Sequence, residues 1–195
     1  MRTTPAKDLR VTKTLEAIDR TFRAMMLQGG YGAITVKALC ERARINKKTF
    51  YRYYETLDDL LAEVMSAYAS AWRERTAHLG ASDFAQMTRE LFYFGAEQDE
   101  LYDVITCDPA WDGIRRQLQD DASGEHAENV PAGFTPEVWH LLYAYVSQAG
   151  LAMYRAWVAD GKAIPLPRAA ETAARLVCHG SDALTSEWSG ESGRK

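Results

Sequence analysis

"ITVKALCERARINKKTFYRYYETLDDLL", residues 34–61, decides how this chain is read. Thr35 is suited to cap a short helix through Val36, Leu39 and Cys40. Asn46 is suited to cap a second, from Lys47 to about Tyr53, because such side-chain oxygens accept the first free N–H groups of a helix. Only Ala43, Arg44 and Ile45 separate the two, which describes a helix-turn-helix. Val36, Leu39, Cys40, Ile45, Phe50 and Tyr54 supply an apolar inner face, to be packed on the preceding helix. Lys47, Lys48, Thr49, Tyr51 and Tyr53 are left on the outer face. Lysines neutralise phosphate, Thr and Tyr hydroxyls donate to phosphate or base edges, and the positive end of such a helix favours an anion. A helix of this kind fits the major groove of a duplex.

Charge is divided along the chain in the same sense. Residues 1–56 hold 12 Lys+Arg and 5 Asp+Glu, a net of +7, whereas residues 57–195 hold 11 and 22, a net of -11. A basic module for a polyanion, joined to an acidic body with another task, accounts for that asymmetry. The total of -4 would conceal it.

The remaining periodicity is helical and the expected fold is all-α. Val11, Leu15, Ile18, Phe22, Met25 and Met26 mark a first helix ending at Gly29-Gly30. Leu57, Leu60, Leu61, Val64, Met65, Tyr68, Ala71 and Trp72 form the clearest stripe. Shorter helices follow at Phe84–Phe94, at Leu101–Ile105 and from Trp111 through Ile114 and Leu118. Residues 121–134 read as a loop, and two long helices, 136–159 and 168–187, close the chain. The expected division is a helix-turn-helix domain over 1–56, a helical body over 57–188 and a disordered tail over 189–195.

No run approaches the roughly 18 apolar residues of a membrane span, and the N-terminus lacks the apolar core of a signal peptide, so a cytoplasmic protein is expected. Cys40, Cys107 and Cys178 are far apart, as free thiols would be. His78, His126, His140 and His179 stand in unrelated contexts, without metal-ligand spacing or a catalytic partner; neither metal, cofactor nor enzymatic activity is expected.

Residues 11–65 resemble the N-terminal domain of TetR-family transcriptional regulators, with Thr35, Ala43, Thr49, Tyr51, Tyr53 and Leu60 in register with the family's pattern. The resemblance implies a three-helix DNA-binding domain followed by a helical domain for dimerisation and ligand. It implies that Thr35 and Tyr53 contact phosphate, that Lys47, Lys48 and Thr49 face bases or phosphates, and that Tyr51 reaches the DNA. Phe50 and Tyr54 are implied to be core, while Arg42 and Arg52 are read equally as solvated or as backbone contacts. Two positions depart from the pattern. Arg44 replaces the glycine of the turn, where left-handed backbone costs other residues about 1 kcal/mol. Leu57 replaces a phosphate-binding lysine and is followed by Asp58 and Asp59, acids expected to repel DNA.

In the body, Ala169, Ala170, Ala173, Ala174, Val177, Gly180 and Ser181 form a stripe of small side chains. Leu141, Leu142, Tyr145, Val146, Ala149, Ala152, Met153 and Trp157 form a broad apolar face on the preceding helix. From these, helices 136–159 and 168–187 are expected to pair with their symmetry mates in a homodimer. A dimer places two recognition helices about 34 Å apart on a near-palindromic operator. Trp72, Phe94, Trp111 and Tyr143 are candidate walls of a pocket for a small hydrophobic or aromatic effector. The resulting expectation is a ligand-responsive repressor acting on double-stranded DNA. An activator or effector-independent regulator of the same fold is one alternative; a protein-interaction module whose basic helix docks on an acidic partner is another.

Overall fold

Gly29-Gly30 ends the first apolar stripe as its spacing predicts, and the chain reverses there with Gly30 at φ 70°. The computed structural model describes residues 5–80, 82–108, 111, 130–131 and 133–191, with side chains described from 9 to 179 of these. The described residues contain eight α-helices and no strand: α1 (Pro5–Gly29), α2 (Val36–Ala43), α3 (Lys47–Phe50), α4 (Leu57–Thr76), α5 (Phe84–Glu97), α6 (Glu100–Cys107), α7 (Pro136–Ala159) and α8 (Leu166–Glu191). The helical piece expected at Ile114 and Leu118, most of the 121–134 loop and the tail over 192–195 lie outside the described residues. The chain forms two compact units, residues 1–68 and 69–195, and α4 continues from the first into the second.

In the first unit, Ile18, Phe22 and Met26 lie at four-residue steps along α1 and are buried with Leu39 and Cys40 of α2. Phe50, Tyr54 and the α4 residues Leu60, Leu61, Val64 and Met65 are buried in the same unit. A fully buried Phe or Leu contributes roughly 1.5–3 kcal/mol, so Leu39 with Cys40 on α2 and Phe50 on α3 are the side chains that hold the two short helices. Burial holds the Cys40 thiol above its ordinary range, against the opposing influence of Lys47. Arg23 pairs with Asp19 at 2.8 Å, donates to the Tyr68 hydroxyl at 2.9 Å and lies over the Tyr68 ring, which ties α1 to α4. α4 opens on a reciprocal cap: Asp59 accepts from the Thr56 N–H at 2.8 Å, and the Thr56 hydroxyl accepts from the Asp59 N–H at 3.1 Å.

In the second unit, α5 packs along α8, and α7 lies against both. One cluster joins Phe92, Tyr154 and Trp157 to Ala169, Ala170 and Ala173; another joins Phe84, Trp139, Leu142 and Val146 to Val177. The stripe of small residues expected at a subunit interface is therefore buried inside its own subunit. Ala169, Ala170, Ala173, Ala174 and Val177 let α8 approach α5 closely, and all are buried within the isolated chain. Gly180 and Ser181 carry no side-chain description. α8 starts at Leu166, ahead of the expected Arg168, because the Pro165 carbonyl already accepts from the N–H groups of Arg168 and Ala169 at 2.9 and 3.0 Å.

One position in this unit depends on a missing side chain. A Cβ on Gly95 would lie 2.2 Å from the Tyr154 hydroxyl, so only glycine lets that ring cross α5. The Tyr154 hydroxyl donates to Asp103 at 2.6 Å, and the other Asp103 oxygen accepts from Lys162 at 2.7 Å. Burial, then Asp103, holds the Tyr154 phenol well above its usual range, so it stays a donor.

Candidate nucleic-acid interface

Thr35 caps α2 as expected, its hydroxyl oxygen accepting from the Ala38 N–H at 3.1 Å. Accepting that bond leaves the hydroxyl proton available to an external acceptor such as phosphate. At the other end of α2, Arg44 takes the left-handed conformation that the family resemblance implies, at φ 56° and ψ 42°. The Ile45 N–H bonds back to the Cys40 carbonyl at 3.0 Å, closing the helix in a Schellman arrangement. Arg42 is held by Gln28 of α1 at 2.6 Å.

Asn46 starts α3. Its carboxamide oxygen accepts from the Thr49 N–H at 2.7 Å and from the Thr49 hydroxyl at 2.9 Å. The regular helix is shorter than the expected Lys47–Tyr53 and ends at Phe50. The chain then tightens into turns, with Arg52 and Tyr53 bonding three residues back, to Thr49 at 3.3 Å and Phe50 at 2.9 Å. Phe50 and Tyr54 explain this tightening, since both point into the core with rings 5.6 Å apart.

That inward pair determines what faces out. Lys47, Lys48, Tyr51 and Arg52 are exposed, Tyr51 at 54%, while Thr49 and Tyr53 are half-buried. Asn46, Lys48, Thr49, Tyr51 and Arg52 line one shallow concavity. The six residues expected to meet DNA are thus on α3 and its following turn, except Thr35, which is exposed at the start of α2. Two features are not in the sequence reading: the pair of hydrogen bonds that Thr49 donates to Asn46, and the place of Arg52 in the concavity. The four-residue step from Lys48 to Arg52 was the available signal for the second.

Asp58 and Asp59, expected to repel DNA, both have structural work. Asp58 accepts from the Tyr31 hydroxyl, and Asp59 closes the α4 cap. Burial and the Asp58 contact hold the Tyr31 phenol above its usual range, so it remains a donor. Together these bonds fix the start of α4 against the turn that follows α1.

The candidate effector residues are arranged less compactly. Trp72 and Phe94 meet edge-on with centroids 5.5 Å apart, and Phe94 in turn meets Tyr102 at the same distance. Burial pushes the Tyr102 phenol up to about 12. Trp111 is buried and Tyr143 half-buried. None of Trp72, Phe94, Trp111 and Tyr143 lines the concavity at α3, nor a second one along Pro167, Arg168, Glu171, Arg175 and His179 of α8. Among the described residues no group of three or more His, Cys, Asp or Glu could hold a metal ion, and no helix is long and apolar enough to cross a membrane.

A model of the family described as bacterial regulatory proteins, tetR family, matches residues 21–64, the segment from mid-α1 into α4. The fold is similar to that of a TetR transcriptional regulator from Streptococcus agalactiae 2603V, with a TM-score of 0.62 at 17% identity, over 88% of this chain and 97% of that one. It is also similar to the fatty acid degradation regulator FadR from Bacillus halodurans, with a TM-score of 0.54 at 12% identity, over 91% of this chain and 96% of that one. No curated protein sequence matches the chain.

Proposed function

We propose, for a chain whose N-terminal domain is that of a TetR-family regulator, that it is a ligand-responsive repressor binding a near-palindromic operator as a homodimer. One observation carries the reading: Lys47, Lys48 and Tyr51 are exposed beside a buried Phe50 and Tyr54, on a segment whose start is capped by Asn46. Exposed cations and hydroxyls on a rigid helical turn match a groove edged by phosphates. Thr35 adds a proton donor at the start of α2 and Tyr53 a half-buried hydroxyl, whereas the Thr49 hydroxyl spends its proton on Asn46.

The dimer in this reading forms on the faces of α7 and α8 that stay uncovered. Leu141 is 73% exposed, Leu176 57% and Tyr145 46%, and a second copy would bury them. An effector is taken up by the body near the Trp72–Phe94 pair, and α4, which continues between the units, transmits the change.

Mobility-shift titration tests the DNA reading. The protein should bind a random duplex weakly at low salt, with affinity that falls steeply as salt rises. Tyr51→Ala, and Lys47→Glu with Lys48→Glu, should abolish operator binding while leaving the fold intact. Unchanged affinity in those variants would refute the assignment, and failure of the native chain to bind any duplex would favour the interaction-module alternative. Light scattering tests the dimer, and only monomer at micromolar concentration would exclude it.

A further inference from the structure

In the turn between α7 and α8, Lys162 donates to one oxygen of Asp103 of α6 at 2.7 Å, and its ammonium lies over the Trp157 ring, 5.5 Å from the centroid. The hydroxyl of Tyr154, a fully buried residue, donates to the other Asp103 oxygen at 2.6 Å and so fixes the carboxylate. A carboxylate that accepts an N–H beside the face of a tryptophan is a pairing that recognises an ammonium. The neighbouring sequence also draws cations: residues 97–108 carry Glu97, Asp99, Glu100, Asp103 and Asp108 and no Lys or Arg.

The lysine side chain is not what shapes this turn. Backbone bonds close it, from the Gly161 N–H to the Val158 carbonyl at 2.9 Å and from the Lys162 N–H to the Trp157 carbonyl at 2.8 Å. The Trp157 indole is held separately, donating to the Ile164 carbonyl at 2.8 Å. Lys162 sits at φ 56°, a left-handed conformation that disfavours a residue with a Cβ and would suit glycine. Its pair with Asp103 is partly open to water, the two side chains being 39% and 21% exposed, and pairs of that kind add little to stability. The ammonium can therefore leave for water without unmaking the turn, and it leaves behind a fixed carboxylate beside an aromatic face. We propose that Asp103 and the Trp157 ring form a seat for a small primary alkylammonium, and that Lys162 fills this seat as a tethered competitor. Tyr154 is its positioning residue. An external ligand reproduces what Lys162 does there: an N–H donated to Asp103, a positive charge over Trp157, and an alkyl chain along the course of the lysine stem. The seat does not depend on the DNA-binding reading.

Ligand-observed NMR with n-butylammonium chloride at constant ionic strength tests this on the native chain, Lys162→Gly and the Lys162→Gly/Asp103→Asn double variant. The native chain should bind weakly, because the ligand must displace Lys162, and Lys162→Gly should bind about tenfold more tightly. Adding Asp103→Asn should reverse that gain, since the amide keeps an acceptor for Tyr154 and loses the charge. Tetramethylammonium has no N–H to donate and should bind Lys162→Gly more weakly than n-butylammonium does. A further readout needs no variant: in the native chain, saturating n-butylammonium should move the Lys162 side-chain resonances to those of a solvated lysine. Thermal unfolding of Lys162→Gly should stay close to the native midpoint, and a large drop would mean that the lysine shapes the turn and is no displaceable occupant. Equal affinity of the native chain and Lys162→Gly, or binding that survives Asp103→Asn, would overturn the seat. So would tetramethylammonium binding as well as n-butylammonium, which would remove the bond to Asp103 from the recognition. Native Lys162 resonances that stay in place at every ligand concentration would make the lysine a fixed structural partner and overturn the competition.

Discussion

In the α3 segment Phe50 and Tyr54 are buried and Tyr51 beside them is 54% exposed, whereas in α8 four alanines are buried and the larger Leu176 is 57% exposed. The first pattern follows ordinary expectation and the second inverts it. The difference lies in what constrains each helix. α3 is four residues long, capped by Asn46, and can bury only one side, that of Phe50. α8 has 26 residues and small side chains at three- and four-residue steps, a surface equally suited to a neighbour in the same subunit or in another. Phe92, Tyr154 and Trp157 take that surface within the same subunit.

The sharpest way to break the comparison is within α3. Phe50→Ala should destabilise the first unit by about 3–5 kcal/mol, read by denaturant unfolding. Tyr51→Ala, one residue away, should change stability by no more than about 0.5 kcal/mol and remove operator binding. Equal destabilisation by both would mean that Tyr51 belongs to the core. In α8, Ala173→Leu should cost about 1–3 kcal/mol through overpacking against α5, again by denaturant unfolding. Leu176→Asp should leave unfolding almost unchanged and convert dimer to monomer in sedimentation. A monomerising Ala173→Leu with native stability would restore the stripe to the subunit interface.

A smaller effect separates strain from function in the turn between α2 and α3. Arg44→Gly should raise stability by about 1 kcal/mol, since glycine adopts φ 56° without a Cβ penalty. Thermal unfolding reads this, and a lower midpoint would show that the Arg44 side chain makes a stabilising contact.

The smallest effect is electrostatic and confined to the second unit. Burial raises the Glu90 carboxyl, but hydrogen bonds from Arg75 at 2.6 Å and Gln86 at 2.8 Å outweigh it and leave Glu90 below the ordinary carboxylate range. Its folded value lies below its unfolded one, so its contribution is present above about pH 4.5 and is lost as pH falls through the folded value. Glu90→Gln should remove at most about 1 kcal/mol at pH 7 and flatten the acid limb of the stability profile. A native acid limb in that variant would assign the pH dependence to other carboxylates.

Much of the α3 surface was legible in advance because local chemistry and burial agreed there. Thr35 and Asn46 are caps whose effect reaches only three residues, and Phe50 and Tyr54 share a face by spacing alone. The roles of Asp58 and Asp59 were not legible. Asp58 depends on Tyr31, 27 residues away, and the Asp59 cap competes with a plain reading of two exposed acids. The four aromatic candidates for a pocket share only a residue type, and type does not say which rings meet; Trp72 and Phe94 meet by virtue of helix packing.

By itself the sequence determined the helical periods, the caps and the separation of a basic unit from an acidic one, while the left-handed turn at Arg44 followed from the family resemblance. These are local properties, set by neighbours within about one turn of helix or by charge summed along the chain. Only the tertiary structure decided that the alanines of α8 face α5, that Gly95 yields its space to Tyr154, and that Lys48 and Arg52 share a concavity without a carboxylate between them. Each of those outcomes depends on which surfaces come together across the unit, and one-dimensional spacing leaves several pairings of similar apolar area open.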